Sequence, residues 1–143
     1  MDGIKVWLDQ QGLSMIDGED LRMKKLRPGK SLCETGQELE GIYFLAEGRL
    51  RIFATSENGK RLLLRFASPL SLIGDLELSS RHAATTNIEA LSHALLYVLP
   101  YDVIEEKYMG NAAFLQLVIA HLSFKLHSFS KMAAINLTWA LAW

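Results

Sequence analysis

Apolar and polar positions change texture twice along this chain. From Leu21 to Leu99 they form short extended runs separated by turn residues. Met23 to Leu26 precedes Arg27-Pro28-Gly29-Lys30, where Pro-Gly sets a tight turn. Ser31 to Glu34 runs into Thr35-Gly36-Gln37-Glu38, and Ile42-Tyr43-Phe44-Leu45 is closed by Glu47-Gly48. Residues 49–67 give the clearest hairpin. Leu50, Ile52 and Ala54 alternate with Arg49, Arg51 and Phe53, Glu57-Asn58-Gly59-Lys60 supplies the turn, and Arg61 to Phe66 returns as a more apolar strand. Ser71-Leu72-Ile73 leads to Gly74, and Thr85 to Leu91 and Ala94 to Leu99 form a last pair. About eight short strands at this spacing predict an antiparallel β jelly roll or barrel.

Helical spacing flanks this body. Val6, Leu8 and Leu13 predict a short amphipathic helix ending around Asp17-Gly18. After Pro100, Tyr101 to Tyr108 reads as a short helix with Gly110 past its end. Asn111 then caps a long helix through about Leu141, roughly 46 Å at ~1.5 Å per residue. Leu115, Val118, Leu122, Leu126 (or Lys125), Phe129, Met132 and Asn136 recur on it at spacing three and four, while Leu117, Ile119, Ala120 and Phe124 are also apolar. One face can cover the barrel and leave another for a partner helix, the reading set against a wholly buried helix in a monomer. The expected organisation is a barrel with its N-terminal helix over 1–110 and a dimerisation helix over 111–143.

Composition narrows the class. The chain has 143 residues, 50% hydrophobic and 22% charged, enough for one folded domain. A formal net charge of −1 argues against nucleic-acid contact by this piece of chain, and Lys24, Lys25, Arg27 and Lys30 read as a solvated strand and turn. Cys33 is the only cysteine, which excludes an internal disulfide and a one-chain cysteine-ligated cluster, and it reads as a small buried apolar residue. The start lacks a signal-peptide pattern, and the longest uncharged stretch, Met109 to Phe124, is too short and polar for a membrane span. A cytoplasmic protein without membrane contact is expected. His82, His93, His121 and His127 show no metal-ligand spacing and read as structural or exposed.

The most informative stretch is Gly74-Asp75-Leu76-Glu77-Leu78 through Thr85-Thr86-Asn87-Ile88-Glu89-Ala90. Backbone N–H groups at such a glycine turn, beside threonine hydroxyls, can build a small anion-binding concavity.

These motifs, in their order, resemble the effector domain of the cyclic-AMP receptor protein and fumarate–nitrate regulator superfamily (Crp/Fnr). The match runs over roughly residues 20–142. Arg27-Pro28-Gly29 and Thr35-Gly36 come first, then Ile42 to Leu50, Asn58-Gly59-Lys60 and Leu72 to Leu78. The resemblance implies a non-enzymatic cyclic-nucleotide-binding-like barrel that holds a small anionic effector such as a cyclic nucleotide. It also implies a homodimer through the C-terminal helix, with DNA bound only by a helix-turn-helix domain that this sequence does not include.

Site residues follow from the same resemblance. Gly74, Asp75, Leu76, Arg81, Thr85 and Thr86 would line the ligand pocket, with Lys125 and Ser130 reaching in from the helix. Leu115, Val118, Leu122, Phe129 and Met132 would form the dimer seam. Two positions depart from the family pattern. The turn acid is Asp75, one methylene short of the usual glutamate, and Ala84 stands where an arginine would meet a cyclic phosphate. Losing such a charge-assisted bond costs about 1.5–3 kcal/mol, with Arg81 or His82 the nearby substitutes. Phe129 also falls where small hydroxyls usually meet the base. Ordinary cyclic AMP is therefore not the expected effector. A metal-dependent cupin-like enzyme and a ligand-free dimerisation module are the alternatives.

Overall fold

The computed structural model describes residues 2–80 and 82–141; on the last helix, side chains are described as far as Ser128 and at Ser130, Lys131 and Ala134. Arg81, and the side chains of Phe129, Met132, Trp139 and Trp143, lie outside the described residues. Helix α1 covers Asp2–Gln10. Eight strands follow: β1 (Arg22–Leu26), β2 (Ser31–Cys33), β3 (Gly41–Glu47), β4 (Leu50–Thr55), β5 (Arg61–Ala67), β6 (Leu72–Ile73), β7 (Asn87–Ala90) and β8 (Ala94–Pro100). The short helix α2 (Tyr101–Val103) widens into a π-turn over Ile104–Tyr108, and α3 spans Ala112–Leu141.

The strands form two antiparallel four-stranded sheets, ordered β1-β8-β3-β6 and β2-β7-β4-β5. This is the expected jelly roll. Leu45, Leu50, Leu96 and Leu99 are fully buried in one shared core, and Leu8, Leu13, Tyr108 and Phe114 extend it beneath the helices.

Three local outcomes differ from expectation. Helix α1 stops at Gln10 because Gly12 turns the chain at φ +73°, and a separate 3-10 turn forms at Gly18–Asp20. The β4–β5 pairing carries a bulge, since Ile52 pairs with Arg65 but Phe53 with Leu63. Phe53 does lie with the arginines: it is buried outside the main core, its ring 4.7 Å from the Arg61 guanidinium carbon and 5.6 Å from that of Arg51. Of the apolar side chains of β5, Ala67 enters the core and Leu64 packs against it, while Leu62, Leu63 and Phe66 are exposed.

The Asn111 carboxamide oxygen accepts from the Phe114 N–H at 3.0 Å, so α3 begins where a cap was expected. Among its described side chains the buried ones are Phe114, Val118 and Lys125. Val118, expected on the seam between two chains, packs instead into this chain's own core, and Leu115 and Leu122 lie partly buried against it. Among the described side chains of α3, the large apolar ones left exposed are Ile119, Phe124 and Leu126.

Candidate functional site

The turn after β6 is fixed by Gly74. At φ +93° an L side chain is strained, and a Cβ would lie 2.4 Å from the Gly41 carbonyl oxygen. The Tyr101 hydroxyl donates to the Gly74 carbonyl at 2.7 Å, pinning the turn to the end of β8. Burial, and secondarily the Glu77 charge, push that phenol well above its ordinary range.

The next two acids turn inward. Asp75 is buried, and its Oδ1 accepts from the Leu76 N–H at 3.1 Å and from the Lys125 ammonium. Lys125 also donates to the Leu72 carbonyl at 2.9 Å, so α3 is tied to both sides of the turn. Burial lowers the Lys125 pKa and the Asp75 carboxylate works against that shift. Asp75 Oδ2 has no hydrogen-bond partner among the described residues.

Two residues on, Glu77 is only 5% exposed while Leu76 is 49% exposed, the inverse of ordinary patterning. Glu77 Oε2 accepts from the Thr85 N–H at 3.1 Å and from the Thr85 hydroxyl at 2.9 Å. Two of the donors expected to cradle an anion, the Thr85 N–H and hydroxyl, are therefore occupied by the chain's own carboxylate.

The enclosed space is small. A cavity of about 40 Å³ is lined by Cys33, Leu39, Ile52, Leu64, Arg65, Ile73, Gly74, Leu76, Glu77, Ala84, Thr85, Thr86, Ile88 and Lys125. That is room for about one water molecule, whereas ligand pockets usually enclose about 300–1,000 Å³. Cys33 in its wall is pushed up to about 11 by burial first and the Glu77 charge second. Arg65 and Lys125 also line an open groove of about 320 Å³ against α3, together with Phe124. The two cations thus stand between the barrel interior and the outer helix.

Of the expected pocket residues, the structure brings Gly74, Leu76, Thr85, Thr86 and Lys125 to one cavity, with Asp75 held on Lys125. Ser130 is exposed on α3 and is not among the lining residues. Ala84 is buried and bonded through its backbone to Gly36 and Gln37. His82, considered as a substitute for the absent arginine, stacks on Tyr101 with ring centroids 4.0 Å apart and is not among the lining residues either. Sequence reasoning missed Glu77 and Arg65. Among the described residues no group of three or more His, Cys, Asp or Glu side chains could hold a metal ion. No helix among them is long and apolar enough to cross a membrane.

Comparison with known proteins agrees with this fold. The family model described as the cyclic nucleotide-binding domain matches residues 23–111. The anaerobic regulatory protein of Aggregatibacter actinomycetemcomitans is 26% identical over 100 residues, covering 69% of this chain and 38% of that protein. The chain spans about two-fifths of the length of the curated relatives it matches. Among solved structures, the sensor domain of the transcriptional regulator DNR from Pseudomonas aeruginosa superposes with a TM-score of 0.72 at 14% identity, covering 92% of this chain and 95% of that one. A transcriptional regulator from Thermotoga maritima gives 0.71 at 22% identity, over 82% and 92% of the two chains. At these identities the structural likenesses establish the fold.

Proposed function

The chain belongs to the cyclic nucleotide-binding domain family, and from that premise we propose that it is the effector-sensing and dimerising part of a Crp/Fnr-type transcription regulator. In this reading the barrel over 1–110 holds the effector pocket and the helix over 111–143 pairs two chains. DNA is bound by a helix-turn-helix domain outside this sequence, and the protein works in the cytoplasm. The effector is not ordinary cyclic AMP. The relatives' names, regulatory proteins throughout, support a regulator over an enzyme.

The observation that carries the proposal is the buried Lys125–Asp75 pair. It links a helix that exposes Ile119, Phe124 and Leu126 to the turn that forms the pocket wall. A ligand that disturbs Asp75 or Glu77 would change how α3 is held, and a paired helix would transmit that change to attached DNA-binding domains. The same pair supports the exclusion of cyclic AMP. No arginine stands at Ala84, and an added phosphate would meet two carboxylates already seated.

Sedimentation at micromolar concentration tests the dimer. The expected mass is twice 16.1 kDa. A lone 16.1 kDa species would contradict the proposal.

A further inference from the structure

We propose that Glu77 is a built-in occupant of the anion position in this pocket and sets its ligand specificity by excluding phosphate-bearing molecules. The inference rests on reading the cavity as the effector pocket. Three observations carry it. Glu77 is an acid nine-tenths buried in a wall of the barrel, where an unpaired carboxylate is costly. Its Oε2 takes both donors that Thr85 can offer, the N–H and the hydroxyl, the same donor pair that a bound phosphate oxygen would require. No ion pair joins it to a cation among the described residues, in contrast to Asp75 on Lys125, so its seat is made by Thr85.

Charge sharpens the point. Among the described residues, the acidic and basic side chains at the cavity are Asp75, Glu77, Arg65 and Lys125, two of each sign. An incoming phosphate would leave this site with an uncompensated negative charge and would find its donors occupied. With Glu77 removed, the balance becomes one positive charge in excess beside two free donors, which suits an oxyanion. The native pocket therefore selects a neutral or cationic hydrogen-bond donor, and the opening step is the release of Thr85 by Glu77.

The test compares the wild type with Glu77→Ala and Glu77→Gln, using inorganic phosphate and cyclic AMP as probes in calorimetry and thermal unfolding. Glu77→Ala frees the N–H and hydroxyl of the exposed Thr85, which water can satisfy, so its Tm should stay close to the wild type's without phosphate and rise as phosphate is added. Its phosphate affinity should exceed the wild type's by about tenfold or more. Glu77→Gln keeps the volume, folds without the anion, and should show a smaller gain. Equal phosphate binding by the wild type and the variants would overturn the inference, as would no gain in either variant. Sedimentation of the same samples reads the dimer independently, so a monomer would contradict the regulator reading and leave the Glu77 result standing.

Discussion

Lys125 on α3 donates to the carboxylate of Asp75 in the turn after β6, fifty residues away in sequence, and both side chains are almost wholly buried. Removing one partner strands a charge, so Lys125→Met should destabilise the fold by about 3–5 kcal/mol. Pairing it with Asp75→Leu should restore most of that loss, because an apolar pair can replace a buried ion pair at little cost. Urea unfolding of the two single variants and the double variant checks this. A loss in the double variant equal to the sum of the two single losses would show that the pair carries no coupling.

The proposed pairing of two chains assigns the exposed face of α3 to assembly and its buried face to folding. Phe124→Asp should weaken the dimer by about 2 kcal/mol or more while leaving Tm nearly unchanged. Val118→Ala should do the reverse, lowering fold stability by about 1–3 kcal/mol through a core cavity. Sedimentation and thermal melts on both variants read the two effects apart.

At Gly74 the backbone conformation and the near contact with Gly41 act together. Gly74→Ala should destabilise by about 2–4 kcal/mol, read from the urea midpoint. The exposed Gly59, at φ +82° with nothing near its missing Cβ, should tolerate alanine better.

Alkali should unfold the protein through buried acids whose ionisation the fold resists. The Cys33 thiol is raised from 9.0 to about 11, so the folded state holds its proton longer than the unfolded chain does. That stability is complete below pH 9.0 and is lost as pH rises towards 11. Burial raises Tyr43 and Tyr101 in the same direction. Denaturant midpoints should fall across that window, and Cys33→Val should flatten part of the slope. In the native protein a thiol reagent should modify Cys33 far more slowly than in urea.

Local signals made most of this fold legible. The Asn58-Gly59 hairpin, the Asn111 cap and the Gly74 turn depend on residues within a few positions of one another, and the structure places them as read. Features that depend on closure of the barrel were harder to see. Glu77 reaches Thr85 across a polar loop, and an acid between two leucines reads locally as solvated. Lys125 was visible as a pocket residue, but nothing in its neighbourhood pointed to Asp75 as its partner. The phase of α3 was ambiguous because apolar residues occupy more than one face; Val118 is buried in the core and Ile119 is exposed.

Calorimetric titration of the wild-type protein with cyclic AMP tests most directly the claim that this pocket is closed to the ordinary cyclic nucleotide. The account predicts no detectable heat of binding at micromolar protein and ligand. Micromolar binding with one site per chain would contradict it, because cyclic phosphate would then have to displace Glu77 from Thr85 without the arginine that Ala84 replaces.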